Sequence, residues 1–291
     1  MKTSILSLIA VMLFGILFSQ NTANRFFYEF SYKKYNDFEN TFKTLTILDI
    51  TGKKSIYRDY LTVSQDSIIQ DALEKAKKSG VQVDVSKIMK FPNFTYKVIK
   101  DYPIKDVRYL DKILQDEMGY IEPITYNWSI LDEKQKIGEF MAQKAVVDYG
   151  GRKWIAWFTE SLPFQDGPYK FFGLPGLILK IEDEEKLFSW LLSGIRKIEN
   201  YSEFSLADRG TMSNTDNKTN LIVTKDKFLK IYNEYLENPL SSIKGKMTPE
   251  QLAQKMPDGK TVAESFKSEE SKIKKILNNN RIDIETTTVK K

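Results

Sequence analysis

The chain has 291 residues, of which 41% are hydrophobic and 13% aromatic, and this composition excludes a largely disordered protein. A net charge of +5 is small for this length and predicts no nucleic-acid partner. Because the sequence has no Cys and no His, disulfides, Cys/His zinc sites and Ser-His-Asp or Cys-His catalysis are excluded, and any acid or base would be a carboxylate, a lysine or a tyrosine.

The amino-terminal segment 1–20 has the pattern of an export signal. Lys2 precedes an apolar run from Ile5 to Phe18 that is too short to span a bilayer. An uncleaved anchor or a buried core helix is the alternative interpretation. We expect cleavage near residue 20, export to the periplasm, the outer envelope or the medium, and a mature chain without a transmembrane segment.

The next part of the chain is predicted to be mainly β-structure with one helix. Residues 51–54 contain Gly52 and read as the turn of a hairpin. Ser64 is predicted to cap a helix that has one apolar face and ends at Gly80. The predicted strands are 24–33, 43–50, 55–61, 95–100 and 107–110.

Two further hairpins are predicted in the centre of the chain. The first joins 143–149 to 153–159 through two glycines, which accept positive φ. The second joins 177–181 to 187–198 through the acidic residues 182–185, which are interpreted as a solvated turn with calcium binding as the alternative. Both faces of 153–159 are apolar, so this strand should be covered on both sides.

The carboxy-terminal part changes to polar loops and helices. Helices are predicted from Thr224 to residue 238, after the capping box that begins at Thr248, and over 262–278. The fold class is therefore α+β, with a curved, mostly antiparallel, half-barrel-like sheet, packing helices and a helical carboxy-terminal region. The predicted segments are a signal peptide (1–20), a β-rich domain (21–198), a polar loop (199–221), a helical region (222–280) and a flexible tail (281–291).

Residues 163–181 form a dense run of prolines, glycines and aromatic residues. Prolines fix φ and glycines permit backbone shapes closed to other residues, so the run predicts a rigid double turn that leads into an apolar strand. A phosphate cradle is the alternative, but the run lacks the P-loop pattern and precedes a strand. The residues that carry this motif are Arg152, Pro163, Gly167, Pro168, Gly173, Leu174, Pro175, Gly176, Leu177 and Ile178.

The motif resembles the GLPGLI family of exported Gram-negative proteins, which is named for the hexapeptide that stands here at 173–178. The similarity extends over 127–198 and includes Lys144-Ala145 and the run Ala156–Thr159. Ala142 departs from the family, since many members have cysteine there. The resemblance implies an envelope protein of unassigned function. The layout is also similar to that of periplasmic lipoprotein carriers, which is an analogy of fold alone.

Two sets of side chains are candidates for function. Five aromatic residues either line a cavity for an apolar ligand or form ordinary core, namely Trp154, Trp157, Phe171, Phe172 and Trp190. Asp166 and Arg152 form either a structural ion pair or an acid/base unit. No catalytic residue, metal or cofactor is assigned from the sequence.

Three functions remain open. The first is a non-catalytic binding or assembly protein that holds an apolar or extended ligand. The second is a carboxylate-dependent hydrolase of envelope polymers, because paired carboxyls can work without histidine. The third is a structural protein that binds an envelope partner through its carboxy-terminal helices.

Overall fold

The computed structural model describes residues 21–34, 37–80, 83, 88, 90, 92–113, 116–205, 221–277 and 282. The predicted signal segment, the tail beyond 282 and most of the polar loop lie outside these residues. The strands are β1 (Ala23–Lys34), β2 (Asp37–Ile50), β3 (Lys54–Asp59), β4 (Lys97–Asp101), β5 (Asp106–Ile113), β6 (Asp116–Pro123), β7 (Ser129–Ile137), β8 (Phe140–Tyr149), β9 (Arg152–Thr159), β10 (Leu177–Asp183), β11 (Phe188–Ile198) and β12 (Leu221–Ile222).

All twelve strands belong to one open sheet in the order β12-β6-β5-β4-β3-β2-β1-β11-β10-β9-β8-β7. Neighbouring strands are antiparallel, except that β12 pairs with β6 in parallel. The predicted α+β class with a curved, mostly antiparallel sheet is confirmed. All three predicted hairpins are present as β2–β3, β8–β9 and β10–β11.

Alternating side chains of β1 define the two faces of the sheet. Phe26, Tyr28 and Phe30 are buried on one side, which we call the inner face. Trp190 on β11 donates a hydrogen bond of 2.8 Å to the Tyr57 hydroxyl on β3, although β1 and β2 lie between these strands. Side chains meet across two intervening strands because the sheet curves towards its inner face. The main hydrophobic core therefore lies on that face.

The helices are short, with 4 to 16 residues each. Their bounds are α1 (Leu61–Ser64), α2 (Asp66–Ser79), α3 (Lys225–Glu237), α4 (Ser241–Lys244), α5 (Pro249–Ala253) and α6 (Val262–Leu277). Among the described residues, no helix combines the length and apolarity needed to cross a membrane.

Local capping signals explain most of the helix ends. The Thr224 side chain accepts a hydrogen bond from the backbone N–H of Lys227, and the predicted capping box at Thr248 is present. Gly80 ends α2 with φ of 70°, as predicted. The prediction for Ser64 is wrong, because Ser64 closes α1 and Gln65, without a side-chain cap, precedes α2.

Strands β6 and β7 were not predicted. Gly119 interrupts the apolar pattern of β6 and lies against Tyr109, where an added Cβ would approach the backbone oxygen to 1.9 Å. Most side chains of β7 are polar and exposed, which is usual for an edge strand. Helix α3 covers β6, where Phe228 packs with Met118 and Tyr120.

Candidate functional site

The motif loop, residues 160–176, connects β9 to β10 across the inner face. Tyr169, Phe171 and Leu174 of the loop are buried in the main core. Two backbone hydrogen bonds hold the loop closed, from Gly173 N–H to Gln165 O at 3.1 Å and from Ile178 N–H to Asp166 O at 3.0 Å. The loop therefore fills the hollow of the sheet as part of the core.

Glycine is required at two positions of this loop. Gly173 has φ of 90°, a conformation that side chains with a Cβ rarely adopt. A Cβ at Gly176 would lie 2.0 Å from the backbone oxygen of Thr159 at the end of β9. The rigid turn predicted from prolines and glycines is thus a close crossing of two backbone segments.

Lys100 on β4 holds the beginning of the loop. Its ammonium is completely buried, contacts the Asp166 carboxylate, and donates hydrogen bonds to Gly167 O at 2.8 Å and Phe171 O at 3.2 Å. Burial lowers the pKa of Lys100, although the charge of Asp166 opposes this effect. Three partners surround one nitrogen, so the β4 side chain fixes both the loop backbone and its carboxylate.

The other oxygen of Asp166 is also occupied. Tyr102 donates its phenolic hydrogen to Asp166 Oδ2, while the backbone N–H of Gly167 donates to Oδ1 at 2.7 Å. Burial and the neighbouring Asp166 charge raise the pKa of Tyr102, which therefore keeps its proton. A carboxylate enclosed in this way cannot reach a substrate in solution as a general acid or base.

A second buried lysine anchors the middle of the loop. Lys170 contacts Glu122 and donates a hydrogen bond of 3.0 Å to the Tyr120 hydroxyl, both on β6. Its ammonium also lies 5.4 Å from the ring centroid of Tyr109. Lys225 on α3 binds the other oxygen of Glu122 at 2.6 Å. Burial raises the pKa of Glu122, but the two lysines outweigh it and leave this pKa below its ordinary value.

Arg152 does not pair with Asp166, so that prediction is wrong. Its guanidinium binds Asp183 at 3.0 Å and Glu185 at 3.4 Å. The reason is strand pairing, since β9 and β10 run side by side and bring the start of β9 to the end of β10, whereas Asp166 faces β4. Arg152 also donates to the backbone oxygen of Ile282, which is buried in the main core.

The five predicted ligand-binding aromatics lie in or against the main core. Trp154, Phe171 and Trp190 are fully buried, and the rings of Trp154 and Phe171 have centroids 4.7 Å apart. Phe172 is almost buried, and its carbonyl accepts a hydrogen bond of 2.9 Å from the Trp128 indole. Because Trp154, Phe171 and Trp190 are fully buried, a ligand could reach them only if the motif loop moved away. Their role as a ligand wall stays a prediction.

The outer face carries a row of six side chains in register, which we call the outer row. Successive strand pairings connect its members, which are Leu45, Glu29, Leu191, Lys180, Trp157 and Lys144. Six strands at the usual spacing make the row about 24 Å long. Leu45 is 38% exposed and Leu191 is 40% exposed. Apolar and charged side chains therefore alternate along this surface.

A pocket open to solvent lies beside β3, β4 and β5. It is shallow and is lined by Arg58, Thr62, Pro92, Thr95, Lys97 and Lys112. Two of its cations are neutralised, since Arg58 binds Asp49 at 3.2 Å and Lys97 binds Glu117 at 2.7 Å. Among the described residues, no cluster of three or more His, Cys, Asp or Glu is placed to hold a metal ion.

Comparison with known proteins gives a local match to a family model and a distant structural similarity. A model of the family described as "Protein of unknown function (Porph_ging)" matches residues 149–180, which include the hexapeptide at 173–178. The matched family has no assigned function, as expected, but its name is not GLPGLI. No curated protein matches the chain.

Two of the solved structures that are similar to this chain are crystal forms of PNGF-II, in space groups C2 and P21. Their identities to this chain are 13% and 14%, with TM-scores of 0.49 and 0.47. Each alignment covers 72% of this chain, which spans about one third of PNGF-II, namely 32% and 33%.

Proposed function

We propose that this protein is a non-catalytic binding or assembly protein of the bacterial envelope, of the GLPGLI family, that binds an extended polypeptide segment along the outer row. The observation that carries the proposal is the in-register placement of two exposed leucines, Leu45 and Leu191, on either side of Glu29. The inner face does not support an interior ligand equally well, because the motif loop occupies it.

The chemistry of the outer row favours a polypeptide. Glu29 binds Lys43 at 2.7 Å and Lys180 binds Glu182 at 2.8 Å, so both signs of charge flank the apolar positions. A segment with alternating apolar and charged residues complements this surface, and about seven extended residues match its length. A sugar ring is less well suited, because the Lys144 ammonium lies 5.9 Å from the centroid of the Trp157 ring and covers it.

The enclosed state of Asp166 supports a non-catalytic role. A carboxylate hydrolase needs two carboxyl groups that face a shared cleft. Asp166 is buried and directs its oxygens to Lys100 and Tyr102. No observation at this position favours the hydrolase alternative.

In-cell photo-crosslinking tests the outer row. A photoreactive residue replaces Lys43, which is exposed beside Glu29 and Leu45, and the crosslinked protein is identified by mass spectrometry. We expect a crosslink to one contiguous extended segment that is lost in Leu45→Ser/Leu191→Ser. Ile121→Ser is the matched control, because Ile121 is 46% exposed and lies on β6, far from the row.

Three outcomes would contradict the proposal. One is the absence of a crosslink. Another is a crosslink that survives in the double leucine variant or is lost equally in Ile121→Ser. The third is retention of the protein on envelope glycan strands that only the double variant abolishes, since this would identify a glycan ligand.

The proposed location has its own test. Cell fractionation should recover the protein outside the cytoplasm with an amino terminus close to residue 21, because the apolar run over Ile5–Phe18 follows the pattern of a cleaved signal. Recovery from the cytoplasm with residues 1–20 still attached would overturn export.

A further inference from the structure

The Lys100–Asp166 pair has the environment of a reactive pair. Both side chains are buried on the inner face, and their charged ends are in contact. Removing an ammonium from water is costly, so burial disfavours the charged form of Lys100 and favours a neutral amine, which can act as a nucleophile. Burial lowers the pKa of Lys100 in the same direction.

The surroundings of the nitrogen orient a neutral amine. Gly167 O and Phe171 O accept two hydrogens of the Lys100 nitrogen, at 2.8 and 3.2 Å. With those two hydrogens held by carbonyls, the lone pair that remains points to the third partner, the Asp166 carboxyl group. Fixed contact of this kind replaces a bimolecular encounter and can raise reaction rates by many orders of magnitude.

The surroundings of the carboxyl group favour attack on its carbon. Tyr102 donates a hydrogen bond to Asp166 Oδ2, and the Gly167 N–H donates to Oδ1 at 2.7 Å. Donors on both oxygens withdraw electron density from the carbon and stabilise the negative charge that develops in a tetrahedral intermediate.

We propose that Lys100 and Asp166 condense to an intramolecular isopeptide bond in the folded protein. The lysine nitrogen forms a bond to the Asp166 Cγ, one carboxyl oxygen leaves with two of the three ammonium hydrogens as water, and the third hydrogen stays on the amide nitrogen. The starting ion pair and the products, one amide and one water, balance without any oxidant, reductant or cofactor. This proposal is independent of the outer row.

The second buried lysine provides an internal comparison. Lys170 contacts Glu122, but this carboxylate is shared with Lys225 and retains some exposure. Two cations on one carboxylate stabilise its ionised form, as the lowered pKa of Glu122 shows. An ionised carboxylate resists attack by an amine, so this pair remains an ion pair.

Peptide mapping of the purified protein tests the proposal directly. Trypsin cannot cleave after an acylated lysine, so the linked product is one branched peptide that joins 98–105 to 154–170. Its mass is the sum of the two peptides less one water, and fragmentation places the branch on Lys100 and Asp166. Quantitative recovery of the separate peptides 98–100 and 154–170 from folded protein would overturn the proposal.

Three variants test the chemistry. Lys100→Arg keeps the charge and should give no branched peptide, whereas Asp166→Asn should give the same linked peptide with loss of ammonia in place of water. Tyr102→Phe should lower the linked fraction several-fold while near-UV circular dichroism shows retained packing. A branched peptide that persists in folded Lys100→Arg, or an unchanged linked fraction in Tyr102→Phe, would refute the proposed reaction.

Discussion

The Lys100 Nζ lies 2.8 Å from the backbone oxygen of Gly167, so a lysine of β4 holds a loop that follows it by 67 residues. This contact and the Asp166 carboxylate join the middle of the sheet to the motif loop. The loop is consequently fixed by tertiary contacts as well as by its own prolines and glycines.

Removing the Lys100 ammonium should destabilise the protein strongly. In Lys100→Met the Asp166 carboxylate is buried without a cation and the proposed bond to residue 100 cannot form. Removing one partner of a buried pair by itself costs about 3–5 kcal/mol of unfolding free energy. Urea denaturation followed by tryptophan fluorescence measures this loss. Lys43→Met is the matched control, since its pair with Glu29 is exposed and should contribute less than about 1 kcal/mol. Equal losses in the two variants would contradict the prediction.

Glu122→Gln should also destabilise the protein, because Lys170 remains buried without a neutralising carboxylate. We expect the unfolding free energy to fall by about 2–4 kcal/mol. This is somewhat less than the loss expected for Lys100→Met, because the Glu122 side chain retains some exposure. Lys225→Gln removes the outer partner of the same carboxylate and should cost less than about 1 kcal/mol, since Lys225 is partly exposed. Chemical denaturation of both variants provides the comparison, and the reverse order of stability would refute it.

Gly176→Ala should lower stability because the new methyl group would overlap the Thr159 carbonyl. Forcing the two backbone segments apart should cost about 1–3 kcal/mol. Gly52→Ala serves as the control, since an added Cβ at Gly52 meets no atom within 4 Å. Thermal unfolding would show a clear drop in midpoint for the first variant alone, and an unchanged midpoint in Gly176→Ala would argue against the close crossing.

Asp111 should make stability depend on pH. Burial raises the pKa of Asp111 from 3.8 to about 6, although hydrogen bonds from Thr95 and Lys112 N–H oppose the shift. The folded protein therefore binds this proton more tightly than the unfolded chain. As pH rises from about 4 to about 6, the unfolding free energy should fall by about 3 kcal/mol through this residue.

Denaturation of the wild type and Asp111→Asn at several pH values isolates this effect. The amide introduced by Asp111→Asn does not titrate. The unfolding free energy of the wild type should therefore fall relative to that of Asp111→Asn as pH rises from about 4 to about 6. Burial also raises the pKa of Asp59 and Asp183, and both residues are common to the two proteins. Parallel pH curves for the two proteins would count against a titrating Asp111.

The sequence predicted the turns and helix ends that are determined by residues close to one another in the chain. Gly150 and Gly151 have φ of 60° and 73° and join β8 to β9 as expected. The capping residues Thr224 and Thr248 begin helices for the same reason. Strand β7 was missed because an edge strand needs only one partner and can carry charges on most positions.

The candidate site was predicted only in part. The prolines and glycines indicated the rigid loop, because they act on their own backbone. The sequence around Lys100 does not indicate that this lysine is buried, because its partners lie in the motif loop, 67 residues further along the chain. The expected Arg152–Asp166 pair failed for the related reason that sequence spacing does not specify which strand each residue faces.

The sheet also has a consequence for the order in which the chain can assemble. Strand β1 lies at its centre, yet one of its two neighbours, β11, is made much later, as the hydrogen bond from Ser193 to Phe27 O across 166 positions shows. During synthesis, β1 can pair with β2 but not with β11 until about two thirds of the chain has been made. Until then, one edge of this aromatic-rich strand has no partner strand. A truncated chain that ends before β11 would leave this strand edge unpaired, so such fragments should aggregate rather than fold.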